Sequence, residues 1–195
     1  GPDKESVSLP TESQLSQTVL AVQQKKYDAY QEEPVPTTLI ANLPKPGKIV
    51  AEKPYGKFGM TELTLSNGMK VYVKTTDYQA EQVSMTMKGE GGTSLYGNED
   101  IPNFSLLSSA ITEAGVGDFD ATRLRKALAG KSVRLAPSIG SESQRIAGTS
   151  AVKDLETMLQ LTYLYFTAPR KDAEAFEGLM NRTRSFLTNR NASSK

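Results

Sequence analysis

The chain has 195 residues, a net charge of +1, no cysteine and no histidine. That length suits one sizeable domain, or a domain with an appendage, and the near-neutral charge leaves no electrostatic footprint for a nucleic-acid partner or an anionic membrane. Without cysteine there are no disulfides, thiolate metal sites or cysteine nucleophile; without histidine there is no Ser-His-Asp triad and none of the imidazole ligands that catalytic zinc nearly always uses.

From the N-terminus, Gly1-Pro2 reads as a scar of tag removal, so targeting is left open. No apolar run approaches the ~20 residues of a membrane span. Leu15, Val19, Val22 and Tyr27 recur at helical spacing and predict a helix over 11–30, capped by Thr11 or Ser13. Glu32-Glu33-Pro34-Val35-Pro36 ends it, because proline cannot continue a helix. Pro44, Pro46 and Pro54, with Gly47, Gly56 and Gly59, then predict an extended linker. Residues 1–59 are therefore expected to be an appendage of a preceding domain, and 60–195 the main domain.

The main domain opens with alternating Leu63 and Leu65, then Met69, Val71 and Val73. Ser66-Asn67-Gly68 between them predicts a hairpin, since Asn-Gly supplies the positive φ of a tight turn. Val83, Met85 and Met87 alternate as a further strand, ended by Gly89, Gly91 and Gly92. The Gly89–Gly97 loop lacks the Gly-Lys-Ser/Thr ending of a phosphate-binding loop.

Phe104, Leu107 and Ile111 put one apolar stripe on a helix over Ile101–Ala114, preceded by Glu99-Asp100 as a solvated capping pair. A second helix runs from Asp120 as cap to Gly130. Its Arg123, Arg125 and Lys126, with Lys131, make a basic cluster, read as a solvated face or a docking surface for another domain. Two strands follow, Val133–Ile139 and Gln144–Ser150. Val152–Thr167 is apolar on most sides and is expected to be the central buried helix, with Tyr163 and Tyr165 in the core. Pro169 stops it. A last helix, Lys171–Asn189, carries Phe176, Leu179, Met180 and Leu187 on one face, with Arg182, Arg184 and Arg190 toward water; the stretch beyond reads as a cloning boundary. This order predicts an α+β layer, with helices on one face of a mostly antiparallel sheet.

Several segments, in order, resemble the pitrilysin/insulinase-type zinc metallopeptidase family. Pro46-Gly47-Lys48-Ile49-Val50 and Glu62-Leu63-Thr64-Leu65-Ser66-Asn67-Gly68-Met69-Lys70-Val71-Tyr72-Val73 resemble the family's opening hairpin. Gly91-Gly92-Thr93-Ser94-Leu95 resembles its post-strand turn, and Ala129-Gly130-Lys131 with Ser138-Ile139-Gly140 the form seen in bacterial members with two fused halves. Leu155–Leu161, Tyr163–Phe166 and Pro169 resemble its long helix. The resemblance implies the fold shared by pitrilysin and mitochondrial processing peptidase.

Active members carry His-x-x-Glu-His on the helix after the Gly-rich turn: two imidazoles bind zinc and the Glu activates its water. Here Asn103 stands at the first His, Leu106 at the Glu and Leu107 at the second His. The later acidic ligand would fall near Arg182 to Arg184, where there is none. The resemblance therefore implies a degenerate copy from the inactive half: no catalytic or metal residue and no cofactor in this chain, with zinc in the other half of the parent. It implies a structural, substrate-enclosing role, with the parent's other domains and a peptide substrate as partners. The strand of Val83, Met85 and Met87 is the candidate for peptide addition. A non-proteolytic scaffold of the same fold is the alternative. The parent is expected in the periplasm or cell envelope.

Overall fold

Thr11 starts the first helix, α1 (Glu12–Gln24), through a reciprocal capping box. The Gln14 amide donates to Thr11 Oγ1 at 3.3 Å, and the Thr11 amide donates to Gln14 Oε1 at 2.8 Å. The computed structural model describes residues 9–28, 34, 36 and 38–190. They fall into two units, Gly1–Pro34 and Val35–Lys195. Helix α1 belongs to the first and has no buried residue. It is shorter than its sequence pattern predicts: 25–28 are not helical, and 29–33 lie outside the described residues. With no buried face, α1 persists only as far as propensity and its cap carry it.

The second unit begins earlier than the linker reading implies. Strands β1 (Ile49–Tyr55), β2 (Met60–Leu65) and β3 (Lys70–Val73) form an antiparallel sheet in that order. Tyr55 pairs with Met60, and Glu62 with Tyr72. Pro54 is tolerated because β1 is an edge strand. Leu39, also in the expected linker, is buried with Val116, Phe119 and Leu161. The β2–β3 turn follows its Asn-Gly signal: Gly68 has φ +86°, its amide donates to Leu65 O at 2.8 Å, and Asn67 Oδ1 accepts from the Met69 amide at 3.1 Å.

A second antiparallel sheet holds β4 (Gln82–Glu90), β6 (Ser143–Ala151) and β5 (Val133–Ile139), with β6 central. Helices α2 (Ile101–Ala114), α3 (Ala121–Ala127), α4 (Leu155–Thr167) and α5 (Ala173–Asn189) complete the unit. Helix α2 lies against β5 and α5; α4 lies against β5 and β6. The architecture is the α+β layer expected, with its strands divided between two sheets. Among the described residues, no helix is long and apolar enough to cross a membrane.

Asp120 caps α3, its carboxylate accepting from the Thr122 and Arg123 amides at 2.8 Å each. Asp100 makes no such bond: it sits in helical geometry behind a turn of 3-10 helix, too far along to act as a cap. Helix α4 is less enclosed than its composition suggests. Met158, Leu161 and Thr162 are buried, but Leu159, Tyr163 and Phe166 face outward, since the sheet covers only one side. Tyr163 is thus a surface residue, and Tyr165 is half-buried. On α5, Leu179 is buried while Phe176 and Leu187 are exposed.

Buried Glu62 faces a polar cluster on the first sheet. Its carboxylate accepts from Tyr55 Oη at 3.1 Å and lies 3.4 Å from Lys70 Nζ. The Tyr72 hydroxyl, the largest influence, joins these two in holding the Glu62 pKa below the ordinary carboxylate value. A depressed folded pKa contributes stability above the unfolded value, and that stability is lost as pH falls through the folded one. Glu62→Gln is therefore expected to flatten the acid limb of stability. Urea midpoints measured from pH 7 down to below the carboxylate range check this; parallel curves for the two proteins would refute it.

Candidate functional site

Helix α2 carries the three positions that the family motif would occupy. Pro102 stands in its first turn, where a missing amide proton costs nothing. Asn103 is exposed in that turn; Leu106 and Leu107 are half-buried. Asn103 and Leu107, four apart, share a helix face. Helix α5 runs beside α2, and the Arg182 guanidinium hydrogen-bonds and ion-pairs with the Glu113 carboxylate. The helix expected to bear the distal ligand is therefore a neighbour of the motif helix, and it brings an arginine.

These residues do not fit a zinc ion. Leu106 and Leu107 have no donor atom, Asn103 offers only a neutral amide, and Arg182 is a cation already paired. Among the described residues, no three His, Cys, Asp or Glu side chains come together.

Leu107 instead lines an apolar groove of about 390 Å³ with Met87, Ile111, Ile146, Phe166 and Pro169. The groove joins two sets of residues that the sequence singles out separately: Leu107 from the motif positions and Met87 from the candidate peptide strand. Asn103, Leu106, Val83 and Met85 are not among its lining residues. No local pattern announces the groove, because it is assembled from α2, both outer strands, β6 and α4.

On β4, Val83, Met85 and Met87 are half-buried and alternate with exposed Ser84, Thr86 and Lys88. Met85 pairs with Gly148 and Met87 with Ile146 on β6. Among the described residues, only β6 flanks β4, so β4 is an edge strand of this sheet; β5 is the other edge. Hairpin geometry shows which backbone groups face outward. The Gly140 amide donates to Ser143 O at 2.8 Å, and the Ala151 amide donates to Ser132 O at 3.0 Å. Hydrogen-bonded pairs alternate in an antiparallel ladder, so Val133, Leu135, Pro137 and Ile139 turn their backbone groups away from β6. By the same alternation, Ser84, Thr86 and Lys88 turn theirs outward on β4. Pro137 has no amide proton and interrupts the β5 edge, whereas the β4 edge is continuous.

No protein-family profile matches the chain. Over 145 residues, 74% of the chain, it is 32% identical to a zinc protease PQQL-like protein of Arabidopsis thaliana. Over 141 residues, 72% of the chain, it is 26% identical to a probable zinc protease PqqL of Haemophilus influenzae. The matches span 13% and 15% of those two proteins. Among solved structures, the periplasmic protease PqqL of Escherichia coli superposes with a TM-score of 0.70 at 17% identity, over 92% of this chain and 20% of that one. The ferredoxin protease FusC, a point mutant in complex with Arabidopsis ferredoxin, superposes with a TM-score of 0.67 at 17% identity, over 89% of this chain and 19% of that one. The two structures share the fold, and the zinc protease PQQL-like protein matches 74% of the chain at 32% identity: the chain is a domain of the pitrilysin-type zinc protease family.

Proposed function

We propose that this chain is a non-catalytic domain that encloses peptide substrate for a zinc metallopeptidase whose metal is held by another half of the parent protein. The observation that carries the reading is the motif helix: Leu106 and Leu107 stand where the family places a general base and a zinc ligand, and Leu107 lines an apolar groove. On α5, the resemblance would put an acidic ligand near Arg182 to Arg184, and this chain has arginines there, Arg182 being paired with Glu113. A wall of this kind excludes water and holds an extended peptide, so it contributes to rate without a reacting group of its own. β4, with Val83, Met85 and Met87, is the strand the peptide joins, because its edge is continuous. The partners are the parent's remaining domains and a peptide. The periplasm suits the parent, as it does the E. coli protease that shares this fold.

Deleting residues 35–195 from the parent is expected to lower kcat/KM for peptide cleavage on the order of 100-fold or more while zinc content stays unchanged. Metal analysis and peptide hydrolysis on the same preparations read both quantities. Full activity in the deletion variant would overturn the enclosing role and favour a scaffold.

A further inference from the structure

The open edge of β4 has two unlike sides. On the helix side are Val83, Met85 and Met87, all half-buried. The helices lie chiefly on β5 and β6, so the underside of β4 is apolar and only partly covered. On the outer side are Ser84, Thr86 and Lys88, with Ala147 and Arg145 behind them on β6. Arg145 leans toward the edge: its Nη2 lies 3.4 Å from Thr86 Oγ1, although Thr86 pairs with Ala147. Lys88 and Arg145 are register partners and are both exposed. Arg134 adds a third cation on β5, and Glu90, at the end of β4, is the single carboxylate that the three strands place on this face.

We propose that β4 selects an extended polypeptide segment in which apolar residues alternate with Asp or Glu. This rests on the reading of β4 as the peptide-accepting strand and adds the kind of segment it accepts. A strand added about 4.8 Å from β4 places successive side chains on opposite faces. Its inward residues cover Met85 and Met87 and reach toward the groove that Met87 shares with Leu107. Its outward residues, beside Thr86 and Lys88, come within reach of the Lys88 ammonium and the Arg145 guanidinium. Neither cation has a carboxylate partner within the second unit's described residues. Arg134, two strands further in, lies beyond about one Debye length at ~0.1 M salt and adds a weaker field than the two edge cations. The backbone ladder and the apolar side set affinity; the two edge cations set the preference for acid.

The test uses the whole chain and two synthetic nine-residue peptides with the same alternating apolar residues, one carrying Glu at the outward positions and the other Lys. Fluorescence anisotropy at low salt is expected to show the Glu peptide binding roughly tenfold tighter, as two exposed ion pairs allow, and the difference should shrink in ~0.5 M salt. Lys88→Glu with Arg145→Glu is expected to reverse the preference without touching the backbone. Thr86→Pro, which removes one edge amide, is expected to abolish binding of both peptides. Equal affinity for the two peptides would overturn the charge selection and leave the edge reading standing. Failure of both peptides to bind the folded chain would overturn the edge reading itself. Should Thr86→Pro fail to fold, the charge-reversal pair still decides the proposal.

Discussion

Gly115→Ala is expected to destabilise the second unit by about 2–5 kcal/mol. Gly115 follows α2 with φ +79°, where any side chain pays for a left-handed backbone. An added Cβ would lie 2.2 Å from Phe119 O and within 2.8 Å of the Asp120 backbone, so a rigid turn must open to admit it. That turn is closed in both directions: the Val116 amide donates to Phe119 O at 2.8 Å, and the Phe119 amide to Val116 O at 2.9 Å. Val116 and Phe119 are core residues, so displacing the turn withdraws both from Leu161 and Leu39. In a chain of this size the unfolding midpoint should fall roughly 4–20 °C in calorimetry. Gly130→Ala is the control. Gly130 has φ +77° but nothing within 4 Å of an added Cβ, so only the conformational cost of about 1–2 kcal/mol applies. Equal losses at the two sites would show that the turn yields freely and that the core does not depend on it.

Met158→Ala is expected to cost about 2–5 kcal/mol, and Met158→Leu less than about 1.5 kcal/mol. Met158 is fully buried in α4. It faces Gly148 of the central strand, where an added Cβ would lie 3.1 Å from its sulfur and 2.5 Å from Leu135 Cδ1. Glycine on β6 thus lets the helix and the β5 side chain meet over bare backbone, and Met158 fills the space between them. Removing its side chain leaves a void that the strands cannot follow, because β6 is held on both sides. Denaturant unfolding of the two variants measures the contrast. A loss under about 1 kcal/mol for Met158→Ala would mean that α4 is not what anchors this sheet.

Local chemistry carried much of this fold into the sequence, and non-local geometry hid the rest. Asn67-Gly68 fixed a hairpin because its turn needs residues that tolerate positive φ. The alternation of Val83, Met85 and Met87 survived as half-burial on one face of β4. β1 left no such trace: every residue from Ile49 to Pro54 is exposed, no hydrophobic period marks it, and Pro54 within it, with Pro44 and Pro46 just before, argues for a linker. Helix α4 misled in the opposite sense. Leu159, Tyr163 and Phe166 make it apolar on most sides, yet composition cannot say how many neighbours are present to cover it. At the candidate site, Asn103, Leu106 and Leu107 are singled out by motif spacing within the resemblance alone, and of the three only Leu107 lines the groove. The pairing of Arg182 with Glu113 was not legible, since the two lie 69 residues apart and meet only through the packing of α5 on α2. Pro137 is a local mark of the sheet edge: a proline inside an alternating run suits an edge strand, and β5 is one.

Pro137 also bears on how copies of this chain could associate. Strand-to-strand polymers grow when each unit offers two open edges, one to receive and one to pass on. The sheet of β4, β6 and β5 offers one, since the outward row on β5 is interrupted at Pro137. Two copies joined β4 to β4 would be related by a twofold axis and would expose only two interrupted edges. Pairing through this sheet alone therefore ends at a closed dimer instead of running on into a fibre.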